Sequence, residues 1–225
     1  MTTPQVPQVL IFDFDGTIAD TQATFIKIAN RLAPDFGYQT LEPEQINRLR
    51  NLRPREVIKA SGLPFYKVPF FLRRAKRQLS HEIRNIQPIA GMDEALRELH
   101  ASGYRLGIVT SNLPANVKIF LELHKLQDLF EFVRAGIAIF GKSRSLHGAL
   151  RELSLPPSAA VYCGDEVRDI EAAHHCGIRV LAVGWGFNSR EALLRAQPDA
   201  FSTEPRQLAE AIAQMTHQEL TGVSS

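Results

Sequence analysis

Two cysteines, Cys163 and Cys176, are all that 225 residues carry, which excludes a disulfide framework and allows one bridge at most. So sparse a pair reads as reduced thiols in a cytoplasmic protein. Long apolar runs are also missing. No stretch approaches the roughly 20 residues that cross a bilayer, so a membrane-embedded function is excluded. The segment Met1 to Gln8 has no basic region and no signal-like apolar core, and reads as a polar lead-in to a strand. Internal repeats and low-complexity tracts are absent, and Leu220 to Ser225 reads as a frayed tail. Net charge is lacking too, at +2, but its distribution is uneven. Residues 21–88 hold 13 Lys and Arg against 5 Asp and Glu, whereas the remainder holds 13 against 19. A basic module sits inside an acidic chain. Hydrophobic residues make up 44%, ample for a core, and the length suits one large domain or a core with an inserted module.

What is present is a recurring pattern. Gln8 to Asp13, Tyr104 to Thr110, Ala159 to Cys163 and Arg179 to Val183 are apolar runs of the kind buried on both faces of a parallel sheet. Phe130 to Val133 and Asp199 to Phe201 add shorter ones. Helical spacing separates them over Met92–Ser102, Asn116–Leu126, Ser143–Leu153 and Arg168–Cys176. This alternation predicts an α/β fold, a doubly wound parallel sheet with right-handed crossovers. Ligands of such sheets bind beyond the carboxyl ends of the strands. Residues 21–88 break the alternation with helical patterns over Ala23–Leu32, Pro43–Arg50, Pro54–Ala60 and Phe65–Ile83. The expected domains are therefore an α/β catalytic core of 1–20 and 89–225 and an all-helical cap domain of 21–88.

Four segments carry chemistry. In Asp13-Phe14-Asp15-Gly16-Thr17, two carboxylates one residue apart follow a buried strand. Unpaired buried charge is too costly for both to be ordinary core groups. A magnesium ion would offset them, since it takes one or two carboxylates together with substrate phosphates; the competing reading is a solvated turn. Gly164-Asp165-Glu166-Val167-Arg168-Asp169 follows another run, and Asp165 and Asp169 share a helix face at i, i+4. The competing reading there is an acidic helix N-terminus. Thr110-Ser111-Asn112 offers a hydroxyl and N–H groups for phosphate oxygens, or simply a helix cap. Lys142 follows Phe140-Gly141 as a lone lysine, presented inward by a loop or left in solvent.

In order and spacing these segments resemble the four motifs of the haloacid dehalogenase superfamily, over roughly Val9 to Ile212, with the helical insertion where that family's commonest cap lies. The resemblance implies a Rossmann-like core and a phosphatase mechanism. It makes Asp13 the nucleophile that forms an aspartyl-phosphate and Asp15 the acid/base. Asp13, the Asp15 backbone carbonyl and Asp165 become ligands of Mg²⁺. Ser111 binds the transferring phosphoryl group, Lys142 neutralises charge, and Asp169 orients Lys142 or a metal-bound water. Thr17 and Asn112 are candidates for binding substrate. Two features depart from the phosphoglycolate-phosphatase-like subgroup: Lys142-Ser143-Arg144-Ser145 stands where Lys-Pro-x-Pro is common, and Glu166 offers a second carboxylate beside Asp165.

A sugar phosphomutase shares the first steps and is the nearest alternative. A dehalogenase has no need of Asp15. A phosphoacceptor signalling domain lacks a helical insertion, and an inactive relative would not retain every expected residue type. His174-His175 shows no third ligand, Cys163 reads as core, and Trp185 as loop packing. The aromatics of the basic module are not spaced as a stacking platform, which argues against nucleic acid. Phe65 to Leu79 reads as a packed cap helix in preference to a membrane-surface helix, with Arg73, Arg74, Lys76 and Arg77 as its solvated face. Arg50 and Arg53 lie on an inter-helix turn that can point at the core, and would bind a substrate carboxylate or a second phosphate through paired hydrogen bonds. The expected substrate is a small anionic phosphate monoester, phosphoglycolate first.

Overall fold

The computed structural model describes residues 8–136 and 141–221, with backbone alone at 54 and 216–221. The lead-in before Gln8, the apolar residues 137–140 and the end of the tail lie outside the described residues. The apolar runs become β1 (Val9–Phe12), β2 (Arg105–Val109), β4 (Ala160–Gly164) and β5 (Arg179–Val183). The shorter ones become β3 (Phe130–Arg134) and β6 (Ala200–Ser202). All pair in parallel in the order β3-β2-β1-β4-β5-β6.

Alternation along β1 supplies two cores. Leu10 and Phe12 point to one face, where they join Met92, Leu96, Val117, Phe120 and Ile212. Val9 and Ile11 point to the other, with Leu146, Leu150, Ile170 and Leu193. The helices supplying these residues are α5 (Met92–Ala101), α6 (Pro114–Leu123) and α10 (Leu208–Thr221) on the first face. On the second lie α7 (Lys142–Glu152), α8 (Val167–His175) and α9 (Arg190–Arg195). The doubly wound parallel sheet expected from sequence is the fold observed. The chain winds outward from β1 to β3 and then returns to β4, so its direction reverses beside β1, where a crevice forms at the carboxyl ends. Phe12 is level with both Ile108 and Cys163, which brings Asp13 beside the ends of β2 and β4.

The starts of α6 and α7 differ from expectation in ways that bear on the site. The α6 helix opens at Pro114, whose fixed φ suits a first turn, and stops before Lys125 at φ 55°. Lys142 belongs to the first turn of α7, not to a preceding loop, so the helix itself fixes its direction.

Between β1 and α5 the chain forms α1 (Gln22–Phe36), α2 (Pro43–Leu49), α3 (Pro54–Ala60) and α4 (Val68–Glu82), with no strand among the described residues. The first of these runs past the expected Leu32, through Pro34, and ends at Gly37 with φ 77°. It packs on α4, burying Ile28, Leu32, Ala75 and Leu79. That packing makes α4 an element of the inserted module, although Phe65, Tyr66 and Phe70 remain exposed. Among the described residues no helix is long and apolar enough to cross a membrane.

Candidate active site

The crevice gathers carboxylates. Asp13 leaves β1 with its N–H on the Cys163 carbonyl at 2.9 Å, and Asp165 follows β4 directly. Asp169 lies on the first turn of α8. Oxygens of Asp13, Asp165 and Asp169 come within 4.8 Å of one another, all buried. Lys142 is also buried, at 4% exposure, and its Nζ donates to Asp169 at 2.5 Å and sits 2.9 Å from Asp13 Oδ2. It lies 5.4 Å from the centre of the Tyr162 ring. Burial pulls this lysine down, but Asp13 and Asp169 outweigh it and hold the ammonium above the usual lysine range.

Asp165 is held in a close cage. It accepts from the Thr17 hydroxyl at 2.6 Å and from the Phe187 N–H at 2.7 Å. A Cβ on Gly186 would lie 2.1 Å from its Oδ2, and one on Gly16, at φ +77°, 2.4 Å. Two glycines are needed because backbone approaches the carboxylate closer than any side chain allows. Burial first, then Glu166, Asp169 and Asp13, push Asp165 well above the usual carboxylate range.

Asp15 is set apart from the other three. The Asn112 amide donates to both of its carboxylate oxygens, at 2.9 and 3.0 Å. Asn112 is itself fixed, because its Oδ1 accepts from the Asn116 amide at 2.8 Å and from Leu113 N–H at 2.7 Å. Asp15 keeps some accessible surface, yet its low-dielectric surroundings and the Asp13 charge push it up to about 7, against the pull of Asn112, Thr21 and Arg168. A carboxyl that exchanges its proton near neutrality thus faces buried carboxylates able to hold a cation, a pairing that suits nucleophilic attack with proton transfer.

The sequence model of the haloacid dehalogenase-like hydrolases matches residues 10–183. The chain belongs to that family. It is similar to the phosphoglycolate phosphatase of Synechococcus elongatus, 37% identical over 94% of this chain and 100% of that one. It is also similar to the phosphoglycolate phosphatase of Aliivibrio fischeri, at 26% over 88% and 92%. A haloacid dehalogenase-like family hydrolase from Streptococcus pneumoniae shares the fold with a TM-score of 0.76, 23% identity and coverage of 91% and 98%. CbbY of Rhodobacter sphaeroides, solved with phosphate, gives 0.70, 20%, 91% and 99%. The phosphoric monoester hydrolase expected from sequence is the enzyme class of this haloacid dehalogenase-like chain.

Some expected site residues of this hydrolase take other positions. The Thr17 hydroxyl and the Asn112 amide are spent on Asp165 and Asp15, so both position carboxylates. Glu166 stands outside the acidic cluster and accepts from Arg168 at 2.5 Å. The turn between α2 and α3 does meet the core, but not at the carboxylates. Arg50 donates to the carbonyls of Gly186 and Phe187 at 3.0 and 3.2 Å, and Arg53 pairs at 3.5 Å with Glu171, both largely exposed. Asn188 and Ser189 in turn bond the Arg50 carbonyl. Trp185 donates to the Thr17 carbonyl at 3.1 Å and braces the first motif. His174 bonds Asp199 at 3.1 Å, and both cysteines are buried and free.

The residue missed from sequence is Lys76. Arg73, Arg74 and Arg77 are exposed as expected, but Lys76 turns inward and donates to the Ser111 carbonyl at 2.6 Å. Its spacing was the available signal: four residues after Leu72 and three before the buried Leu79, it lies on the apolar stripe of α4.

Proposed function

We propose that this enzyme is a Mg²⁺-dependent phosphatase of a small anionic phosphate monoester, phosphoglycolate first, acting through an aspartyl-phosphate. In this reading residues 21–88 form a cap domain over a catalytic core of 1–20 and 89–225. The observation that carries it is the meeting of Asp13, Asp165 and Asp169, with Lys142 bonded to Asp13 and Asp169 and Asp15 held apart by Asn112. The substrate class is supported by the 37% identity to a phosphoglycolate phosphatase. Two buried, unbridged thiols accord with a cytoplasmic setting.

The donor set fits a hard divalent cation: oxygen ligands only, and three buried carboxylates against one lysine. Asp13, Asp165 and the Asp15 backbone carbonyl would hold it, with Asp169 supporting. When bound, Mg²⁺ supplies positive charge that reduces the repulsion between a carboxylate and a phosphate dianion. The chain does the rest. Lys142 keeps Asp13 oriented and adds its own charge beside the phosphoryl oxygens, with Ser111 binding them. An Asp13 oxygen attacks phosphorus as the ester P–O bond breaks, and the leaving oxygen takes the proton of Asp15. The Asp15 carboxylate then takes a proton from water, whose oxygen attacks phosphorus and breaks the Asp13–phosphorus bond. Inorganic phosphate leaves and Asp15 is protonated again.

The test is to trap phosphoenzyme from phosphoglycolate and from p-nitrophenyl phosphate with Mg²⁺. Asp15→Asn should accumulate it from the nitrophenyl ester, whose leaving group needs no proton, and Asp13→Asn should form none. Equal trapping in both, or wild-type turnover by Asp13→Asn, refutes the division of roles.

A further inference from the structure

We infer that Lys76 is the specificity-determining residue of the helical insertion, taking a carboxylate that the substrate carries on the leaving side of its ester. The inference rests on the phosphatase reading above. Among the described cations of the insertion, Lys76 is the one hydrogen-bonded to the segment that follows β2. Its ammonium has three donors, and the Ser111 carbonyl takes one of them. No other hydrogen bond of Nζ occurs among the described residues, so two donors remain for a ligand.

The charges around Lys76 say on which side of the reaction it works. Lys142 answers to Asp13 and Asp169, the nucleophile side. The charged groups that act on Lys76 are Asp15, which supports its charge, and Arg168, which opposes it; burial is the larger pull and lowers it below the ordinary lysine range. Asp15 is the proposed donor to the leaving oxygen. Lys76 bonds the Ser111 carbonyl, and the next residue, Asn112, bonds Asp15, so on this inference a substituent one carbon beyond that oxygen comes under Lys76 while the phosphoryl group stays under Lys142.

Arg168 sharpens the argument. Its guanidinium is spoken for at Nη2 by Glu166, but its Nε is buried without a hydrogen-bond partner. Two like charges from different elements, one on α4 and one on α8, thus act on one another. An anion near both reduces their mutual repulsion, and a neutral hydroxyl does not. A carboxylate on a short leaving group meets that need.

The experiment compares 2-phosphoglycolate with 2-hydroxyethyl phosphate, which has the same chain length and no carboxylate, in the full-length protein with Mg²⁺. Wild type should prefer phosphoglycolate in kcat/KM. Lys76→Met should reduce that preference about tenfold or more, the worth of a charge-assisted hydrogen bond, mainly through KM for phosphoglycolate. Lys76→Arg should restore part of it. Should Lys76→Met fail to fold, Lys76→Gln, which retains a donor for the Ser111 carbonyl, is read in the same way. If the preference survives the loss of the charge, or both substrates are lost in parallel, the assignment of Lys76 is overturned and the phosphatase reading stands. If wild type hydrolyses the neutral ester better, the anionic-substrate reading falls and this inference falls with it.

Discussion

Replacing Asp165 by Asn should make the metal-free protein more stable while removing its response to Mg²⁺. Asp165 lies within 4.8 Å of Asp13 and Asp169, and at that separation each pair of unit charges repels by about 3.5 kcal/mol at an effective dielectric of about 20. Lys142 bonds the other two carboxylates and not Asp165. Asp165 therefore bears both of these repulsions, and that of Glu166, with no direct cation, and either holds its charge at that cost or takes up a proton. The amide removes both burdens. It also fits the cage: its oxygen can accept from Phe187 N–H, and its nitrogen can donate to the Thr17 hydroxyl, which rotates to accept. The wider field of Lys142 and solvent at the crevice mouth offset most of the repulsion, leaving about 2 kcal/mol to recover, or roughly 4–8 °C in Tm for a chain of this length. The assay is thermal melting at pH 8 in chelator and again in excess Mg²⁺. Wild type should gain stability from the ion as any protein does from a ligand of its native state. Asp165→Asn should start higher and gain little. A metal-free variant that melts below wild type, or one that responds fully to Mg²⁺, would refute the reasoning.

Proton transfer and loop support give two further expectations. Asp15, pushed up to about 7, is protonated below that pH and loses its proton above it, so kcat/KM for phosphoglycolate should fall as pH rises through about 7, and much less for p-nitrophenyl phosphate. Asn112→Leu withdraws a hydrogen bond that lowers Asp15 and should move the limb upward by about one unit; an unmoved limb in the pH profile counts against Asp15 as the acid. Arg50→Ala releases the loop whose Phe187 N–H fastens Asp165, and should raise the Mg²⁺ concentration needed for half activity about tenfold with every substrate. Arg53→Ala loses only an exposed pair with Glu171 and should leave that titration unchanged. Equal effects of the two would remove Arg50 from the support of the site.

Periodicity and local motif make the fold legible along the chain. Buried parallel strands are continuous apolar runs, and a helical insertion shows itself by the absence of such runs over 21–88. Asp13, Asp15 and Asp165 stand out for a related reason: carboxylates at the ends of buried strands need a chemical justification that sequence alone can pose, whereas Asp169 is singled out by its i, i+4 spacing from Asp165 and Lys142 through the family resemblance. The order of strands around β1 then had to bring them together, and the register of Phe12 with Ile108 and Cys163 does so.

What only the tertiary structure decided was the use of each polar side chain. Thr17 and Asn112 look like substrate ligands along the chain, but their partners, Asp165 and Asp15, lie 148 and 97 residues away. Arg50 reads as a substrate ligand until the loop after β5 presents carbonyls to it. Lys76 reads as solvated because its charge says surface, whereas its place on the inward stripe of α4 acquires meaning only when that stripe faces Ser111. Composition and spacing determine which groups can be buried. Which donor meets which acceptor depends on distances between elements far apart in the chain, and packing alone sets those.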